Sequence, residues 1–236
     1  MKLPLLISVP HAGLVVPPEV EDLCILTPEQ IATDGDEGAA TIYALKSEVT
    51  AYLTTDVARA IVDLNRAEND RQRDGIIKTH TCQETLVYRH PPSEEVIGML
   101  LARYYRPYHK KLTVLANEAR LGIDCHTMAE FGPPIGPDPG CERPHVCLSD
   151  AGGTCSHTWF AKLVSSFENT FGDEVSINTP FKGGYIIRSH ACELPWVQVE
   201  LSRGAFMSDE QKYERVLQAL TSFCNSIERN LQGALV

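Results

Sequence analysis

Short apolar runs alternate with amphipathic helical patterns along the whole chain, and this alternation restricts the fold more than any other feature. The apolar runs predict strands at 4–9, 50–54, 60–64, 121–125, 185–188 and 196–201. The helical patterns predict helices at 28–32, 36–48, 93–118, 155–171 and 208–231. Strands separated by helices favour an α/β fold built on a parallel sheet.

The size and composition of the chain favour one globular domain. Its 236 residues suffice for a large α/β domain, and 43% hydrophobic with 22% charged residues is typical of a soluble protein. No internal repeat or low-complexity linker divides the chain. We therefore expect a single domain over 1–236.

The charge and the termini bear on partners and location. A net charge of −10 disfavours nucleic acid and anionic membranes as partners. No stretch approaches the roughly 18–20 apolar residues of a membrane span, and the N-terminus lacks the pattern of a signal peptide. The 8 cysteines form no Cys-x-x-Cys pair, so we expect reduced thiols and a cytoplasmic protein.

Several common enzyme motifs are missing. The chain has no Gly-x-Ser-x-Gly elbow, which disfavours a serine hydrolase of that class. It also has no phosphate-binding loop and no Gly-x-Gly-x-x-Gly, so nothing supports a nucleotide cofactor.

Two histidines and one glutamate lie at the ends of predicted strands. His11 follows the first apolar run, His126 follows the run that begins at Leu121, and Glu200 lies in the last run. Ligands of α/β proteins bind beside the carboxyl ends of the strands, so these side chains can converge. Two imidazoles and a carboxylate form the ligand set of a catalytic zinc site, which needs a further carboxylate as base. The Pro- and Gly-rich segment 131–153 predicts a long loop over this site.

Acidic residues supply candidates for both carboxylates. Asp34, Asp36 and Glu37 lie just before a predicted helix, where helix capping is the alternative explanation. Glu200 lies in a run typical of a buried strand, and a carboxylate there is costly unless it is paired or functional. Arg203 is its candidate structural partner. Asp124 lies on the same face of its strand as His126 and is a candidate to orient that ring.

Basic and glycine residues near other strand ends are candidates to bind a ligand. Arg66 follows the predicted strand 60–64, where an arginine can clamp a carboxylate or pair with a neighbouring acid. In the segment 181–185, glycines permit close backbone approach, and Lys182 and Tyr185 can contact a ligand. His109 lies within a predicted helix, and we expect a partly buried histidine there rather than a ligand.

Together these segments resemble the N-formylglutamate amidohydrolase family. The resemblance extends in the family's order from residue 5 to about 208. The matching segments are 8–13, Asp36 with its helix, 63–66, 105–109, 124–128, 178–186, 198–201 and 206–207. It implies a three-layer α/β/α fold with a mixed, largely parallel central sheet, similar to zinc carboxypeptidases and aspartoacylase.

The resemblance also implies roles for residues. His11, Asp36 and His126 would bind one zinc ion (Zn²⁺), with Glu37 or Asp34 as alternative acids. Glu200 would be the catalytic base, and Arg66 or Lys182 would stabilise the oxyanion. The implied substrate-binding residues are Asn65, Arg66, Lys182, Gly184, Tyr185, Arg188 and Arg203.

The implied activity is hydrolysis of a small acidic N-acyl amino acid. N-formyl-L-glutamate would give formate and L-glutamate, a reaction of histidine degradation. The alternatives are a related zinc hydrolase acting on another N-acyl amino acid or a peptide and, least favoured, a non-catalytic binding protein.

Overall fold

A six-stranded sheet forms the centre of the molecule. The computed structural model of the protein describes residues 2–172 and 175–233. Its strands are β1 (Leu3–Val9), β2 (Val49–Thr54), β3 (Leu121–Met128), β4 (Val146–Ser149), β5 (Ser176–Ile177) and β6 (Trp196–Ser202). They lie in the order β2-β1-β3-β6-β4-β5. The first four strands in this order are parallel, whereas β4 runs antiparallel to β6, so the sheet is mixed and largely parallel.

Helices connect these strands. They are α1 (Pro28–Asp34), α2 (Ala39–Ile42), α3 (Glu94–Leu100), α4 (Arg106–Leu115), α5 (His157–Phe171), α6 (Tyr185–Ser189) and α7 (Asp209–Gly233). A π-helical turn, Leu101–Tyr105, joins α3 to α4, and a 3₁₀ turn, Ala116–Glu118, follows α4. Within the described residues, no helix is both long enough and apolar enough to cross a membrane.

The two faces of the sheet are covered by different helices. On one face, buried residues of α2, α5 and α7 pack against Leu5, Ile7 and Val9 of β1. On the other face, α3, α4, α6 and the segment 57–64 pack around Leu6 and Trp196. This arrangement confirms the three-layer α/β/α prediction.

The second face changes from apolar to polar along the central strands. Near the amino ends it carries Leu6, Gly122 and Trp196, and towards the carboxyl ends buried polar side chains such as Asp124 and Gln198 follow. Successive side chains of a strand point to opposite faces, so these polar residues share one face with the apolar ones. The polar half of this face is therefore buried inside the protein.

Four of the six predicted strands are confirmed, and two are wrong. The segment 60–64 is a buried series of turns, in which Ile61 and Val62 donate backbone hydrogen bonds to Ala58. The segment 185–188 lies in α6, where Ile186 and Ile187 are buried. In both segments the apolar run correctly indicates that the residues are buried. Burial alone does not distinguish a strand from a short helix or a turn, so the strand prediction fails.

Two other differences concern the loops. The predicted helix 36–48 is reduced to α2, because Gly38 adopts a left-handed conformation (φ 81°) just before it. The predicted loop 131–153 contains β4, a short strand whose flanking prolines and glycines hide it in the sequence. The predicted helix 93–118 is confirmed as α3, the π-helical turn, α4 and the 3₁₀ turn in continuous succession.

Gly122 allows β3 to pack beside Trp196, and this contact gives a stability prediction. A Cβ atom at Gly122 would lie 2.3 Å from the indole ring. We expect Gly122→Ala to lower the free energy of unfolding by about 1–3 kcal/mol, measured by urea denaturation. Gly98→Ala is the matched control, because a Cβ at Gly98 meets nothing within 4 Å and alanine favours its helix by up to about 1 kcal/mol. Equal stability of the two variants would contradict the prediction.

Candidate metal centre

The register of the central strands brings the candidate residues together. His126 of β3 lies directly beside Glu200 of β6, and Asp124 lies beside Gln198. His11 lies two residues beyond the end of β1, the other neighbour of β3. All five side chains are buried, and the carboxyl ends of the three parallel strands place them at one edge of the sheet.

Asp36 is the acid that lies between the two histidines. Its Oδ2 atom is 2.9 Å from Nδ1 of His126 and 3.5 Å from Nδ1 of His11. Its backbone N–H donates to the carbonyl of His11, which fixes the turn between α1 and α2 at this place. Asp34 instead pairs with the buried Lys78 at 3.0 Å, and Glu37 is exposed. The geometry therefore favours Asp36 over the two alternative acids.

Each histidine is held through its other ring nitrogen. Nε2 of His11 lies 2.8 Å from Oδ1 of Asp63, and Nε2 of His126 lies 2.8 Å from Oδ2 of Asp124. Ionised carboxylates only accept hydrogen bonds, so each Nε2 atom carries a proton, and Nδ1 is the ring nitrogen of each histidine that faces Asp36. Carboxylates bound in this way orient metal-binding histidines in many proteins.

The donor atoms at this point fit a divalent metal. Ligand atoms of His11, Asp36 and His126 all lie within 4.8 Å of one another. Metal binding releases the proton that Nδ1 of His126 shares with Asp36, after which two imidazole lone pairs and a carboxylate oxygen are the acceptors at this point. A cation satisfies all three acceptors, and three protein ligands leave a coordination position free for water or substrate.

Burial and charge shift the pKa values of this cluster in opposite directions. Burial acts to raise the pKa of Asp36, but His11 and His126 hold it far below its usual range. Burial acts to lower the pKa of His126, but Asp124 and Asp36 raise it well above its usual value. Burial raises the pKa of Glu200 to about 7. Glu200 thus differs from its neighbours as a carboxyl that exchanges protons near neutral pH.

The cluster opens into a cavity of about 380 Å³. Its basic lining residues are Arg59, Arg66, Lys78, Arg143, Lys182 and Arg203. Four of them form ion pairs: Arg59 with Asp63, Arg66 with Asp74, Lys78 with Asp34, and Arg143 with Asp138. Within the part of the chain that the structure describes, Lys182 and Arg203 have no carboxylate partner. These two cations are thus available to an anionic ligand.

Five of the seven predicted substrate-binding residues line this cavity: Asn65, Arg66, Lys182, Gly184 and Arg203. The other two lie elsewhere. The Arg188 guanidinium donates to the carbonyls of Lys182 and Gly183, and the Tyr185 ring packs against His109, with 5.6 Å between ring centroids. Both residues lie in the short helix α6, which replaces the predicted strand.

Some interactions of the site differ from the sequence prediction or extend it. Glu200 accepts a hydrogen bond from Gln198, whose Nε2 lies 2.7 Å from Oε1. Arg203, the predicted structural partner of Glu200, donates to backbone carbonyls. The sequence does not predict the contact of Asp63 with His11, because it offers Arg66 as the partner of this or a neighbouring acid. In the structure Arg66 pairs with Asp74 instead. Loop residues 133 and 135–137 line the cavity, which confirms the predicted position of that loop.

Comparison with known proteins identifies the family. The family model described as N-formylglutamate amidohydrolase matches residues 3–207, which is most of the chain. The chain belongs to the N-formylglutamate amidohydrolase family. The resemblance inferred from the sequence segments is thereby confirmed.

Individual members of this family are similar over nearly the whole chain. N-formylglutamate deformylases of Pseudomonas aeruginosa and Pseudomonas putida are 28% and 26% identical, each over 90% of this chain and 85% of the relative. The crystal structure of N-formylglutamate amidohydrolase from Ralstonia eutropha superposes with a TM-score of 0.77 at 18% identity, covering 99% of this chain and 95% of that one. This amidohydrolase structure shows the same fold.

The hydrogen bonds that hold the two histidines give a prediction for metal binding. We expect Asp63→Asn and Asp124→Asn each to weaken binding of a divalent metal by about 10–100-fold, because each histidine loses its charged partner. Competition with a chromophoric chelator measures the affinity. Asp22→Asn, which changes an exposed acid, serves as control. Unchanged affinity in both site variants would show that these carboxylates do not support the metal.

Proposed function

We propose that this protein hydrolyses N-formyl-L-glutamate to formate and L-glutamate in a metal-dependent reaction. One observation carries the proposal: three metal-binding side chains and a buried glutamate converge in a cavity that two unpaired cations line. The names of the similar deformylases support the substrate. They do not favour another N-acyl amino acid or a peptide.

We assign the metal to His11, Asp36 and His126, and we propose zinc. Two imidazoles and one carboxylate with an open position are typical of catalytic zinc. When bound, such an ion polarises a carbonyl group and lowers the pKa of water towards 7.

Glu200 is the proposed general base and acid. It takes one proton from the attacking water as the C–O bond forms, and then returns this proton to the nitrogen of the leaving amine as the C–N bond breaks. A carboxyl with a pKa of about 7 suits both steps at neutral pH. Gln198 supports this role because it bonds Oε1 of Glu200 and accepts from the backbone N–H of Gly184, which fixes both groups.

The basic residues of the cavity match the charge of the substrate. N-formylglutamate carries two carboxylates, and Lys182 and Arg203 are the two basic lining residues without a carboxylate partner. Arg66 is the proposed partner of the developing oxyanion, since its Nη1 atom makes only a long contact, 3.4 Å, to the carbonyl of Asn65. The side-chain amide of Asn65 donates a hydrogen bond to Asp124 and accepts one from the backbone N–H of Ile186, so we assign Asn65 a supporting role in the site.

We further propose that 1–236 acts as a single catalytic domain. Strand β1, from the beginning of the chain, and strand β6, from its last third, lie on either side of β3 in one sheet, which supports this proposal. A cytoplasmic location and a role in histidine degradation stay predictions.

Replacement of Glu200 tests the proposed chemistry. We expect Glu200→Gln to lower kcat by about 10²–10⁴-fold, because the amide cannot accept the proton, while the bound metal stays at the wild-type level. Release of formate and elemental analysis measure the two quantities. His11→Ala is the comparison, and here the metal content should fall with activity. A chelator should inactivate the wild-type enzyme, and added Zn²⁺ should restore it. Near-normal turnover of Glu200→Gln would remove Glu200 from the mechanism.

Replacement of the two unpaired cations tests the substrate. We expect Lys182→Gln and Arg203→Gln each to lower kcat/KM for N-formyl-L-glutamate by about 10–100-fold, since each removes a charge-assisted hydrogen bond. With N-formyl-L-glutamine, the variant that lost the partner of the side-chain carboxylate should show a much smaller loss. Lys110→Gln, an exposed change on α4, is the matched control. N-acetyl- and N-succinyl-L-glutamate complete the substrate panel, and a higher kcat/KM for either would contradict the proposed substrate.

A further inference from the structure

The turn formed by residues 63–66 connects several parts of the site. Asp63 bonds the ring of His11, Asn65 donates to Asp124, and Arg66 lines the cavity. The backbone N–H of Asn65 also donates to the carboxylate of Asp63, which closes the turn on itself. A small rotation of this turn would therefore move Arg66 relative to the metal-binding side chains.

Two side chains of the 105–109 segment bind the backbone of this turn. The Tyr105 hydroxyl donates to the carbonyl of Arg66 at 2.9 Å, and Nε2 of His109 lies 3.1 Å from the carbonyl of Leu64. The two carbonyls lie on either side of Asn65 in the sequence. The rings of Tyr105 and His109 are in contact, with centroids 4.3 Å apart, so they hold the turn as one unit.

Tyr105 and His109 lie on the same side of one continuous helical segment. Tyr105 ends the π-helical turn and His109 lies four residues later in α4, so both project from one face. π-helical turns of this kind occur frequently at functional sites. The 105–109 segment also belongs to the sequence match with the family, and the proposed function gives it no role.

Neighbouring groups fix the direction of the His109 hydrogen bond. A carbonyl only accepts, so Nε2 of His109 carries the proton, and its Nδ1 atom lies 2.9 Å from Nε2 of His190. Nδ1 of His190 lies 2.8 Å from the carboxylate of Glu193, and the planes of the two imidazoles are nearly parallel, 7° apart. This chain of contacts keeps His109 oriented as a donor to Leu64.

We propose that Tyr105 and His109 are positioning residues that set Arg66 for the substrate by fixing the 63–66 turn. The inference rests on the proposed function, in which Arg66 contacts the reacting formyl group. Neither side chain lines the cavity, so neither is a catalytic residue. Their effect on the reaction passes through the backbone of the turn.

Removal of single hydrogen bonds tests this role. Tyr105→Phe should lower kcat/KM for N-formyl-L-glutamate about 3–10-fold, the size of one lost hydrogen bond, with unchanged metal content. His109→Ala should lower it further, and His109→Gln, which retains a donor near the position of Nε2, should recover part of the loss. The matched control is Tyr104→Phe, which removes the neighbouring hydroxyl that contacts Glu19 instead of the turn. Its kcat/KM should equal that of the wild type.

A double-mutant cycle with Arg66→Gln separates positioning from general stability. If Tyr105 acts through Arg66, then Tyr105→Phe should change kcat/KM less than twofold in the Arg66→Gln background. A full, additive loss in that background would overturn the positioning role while leaving the proposed function intact, and so would a loss in the wild-type background no larger than that of Tyr104→Phe. If Arg66→Gln alone leaves kcat/KM unchanged, the role of Arg66 in the proposed function is wrong, and the positioning role falls with it. Melting temperatures of all variants report any loss of stability separately.

Discussion

The burial of several carboxylates around two imidazoles is the constraint on which the rest of this structure depends. Asp36, Asp63 and Asp124 contact His11 and His126 inside the protein. Among the described residues, Arg59 is the one permanently charged cation in ion-pair contact with these three acids. Ionised groups are costly to remove from water unless opposite charge lies beside them. A divalent metal held between the histidines would offset this excess of negative charge.

The same constraint explains the difference between Glu200 and its neighbours. Asp36 lies against two imidazoles that lower its pKa, whereas burial dominates at Glu200 and raises its pKa to about 7. Two carboxylates at the same edge of the sheet thus acquire different pKa values from their surroundings alone. Environments that separate pKa values in this way distinguish groups that hold charge from groups that move protons.

Much of this site could be predicted from the sequence, and the physical reason is simple. His11, His126 and Glu200 lie at the ends of apolar runs. The carboxyl ends of parallel strands meet at one edge of the sheet, whatever the structure of the connecting segments. The contacts of Asp63 and Gln198 were not predictable in this way, because they depend on turns and rotamers rather than on periodicity. The failed strand at 60–64 has the same origin: an apolar run indicates that a segment is buried, and the local hydrogen bonds decide its shape.

The antiparallel direction of β4 has a consequence for how this scaffold can change. β3 ends at the mouth of the cavity, and β4 starts there before it runs back beside β6. The connecting loop therefore leaves and re-enters the sheet at the same rim, held by the Asp138–Arg143 pair. Insertions and deletions within it would alter this wall of the cavity and leave every strand pairing in place. This part of the cavity wall can therefore change in length and sequence while the fold is kept.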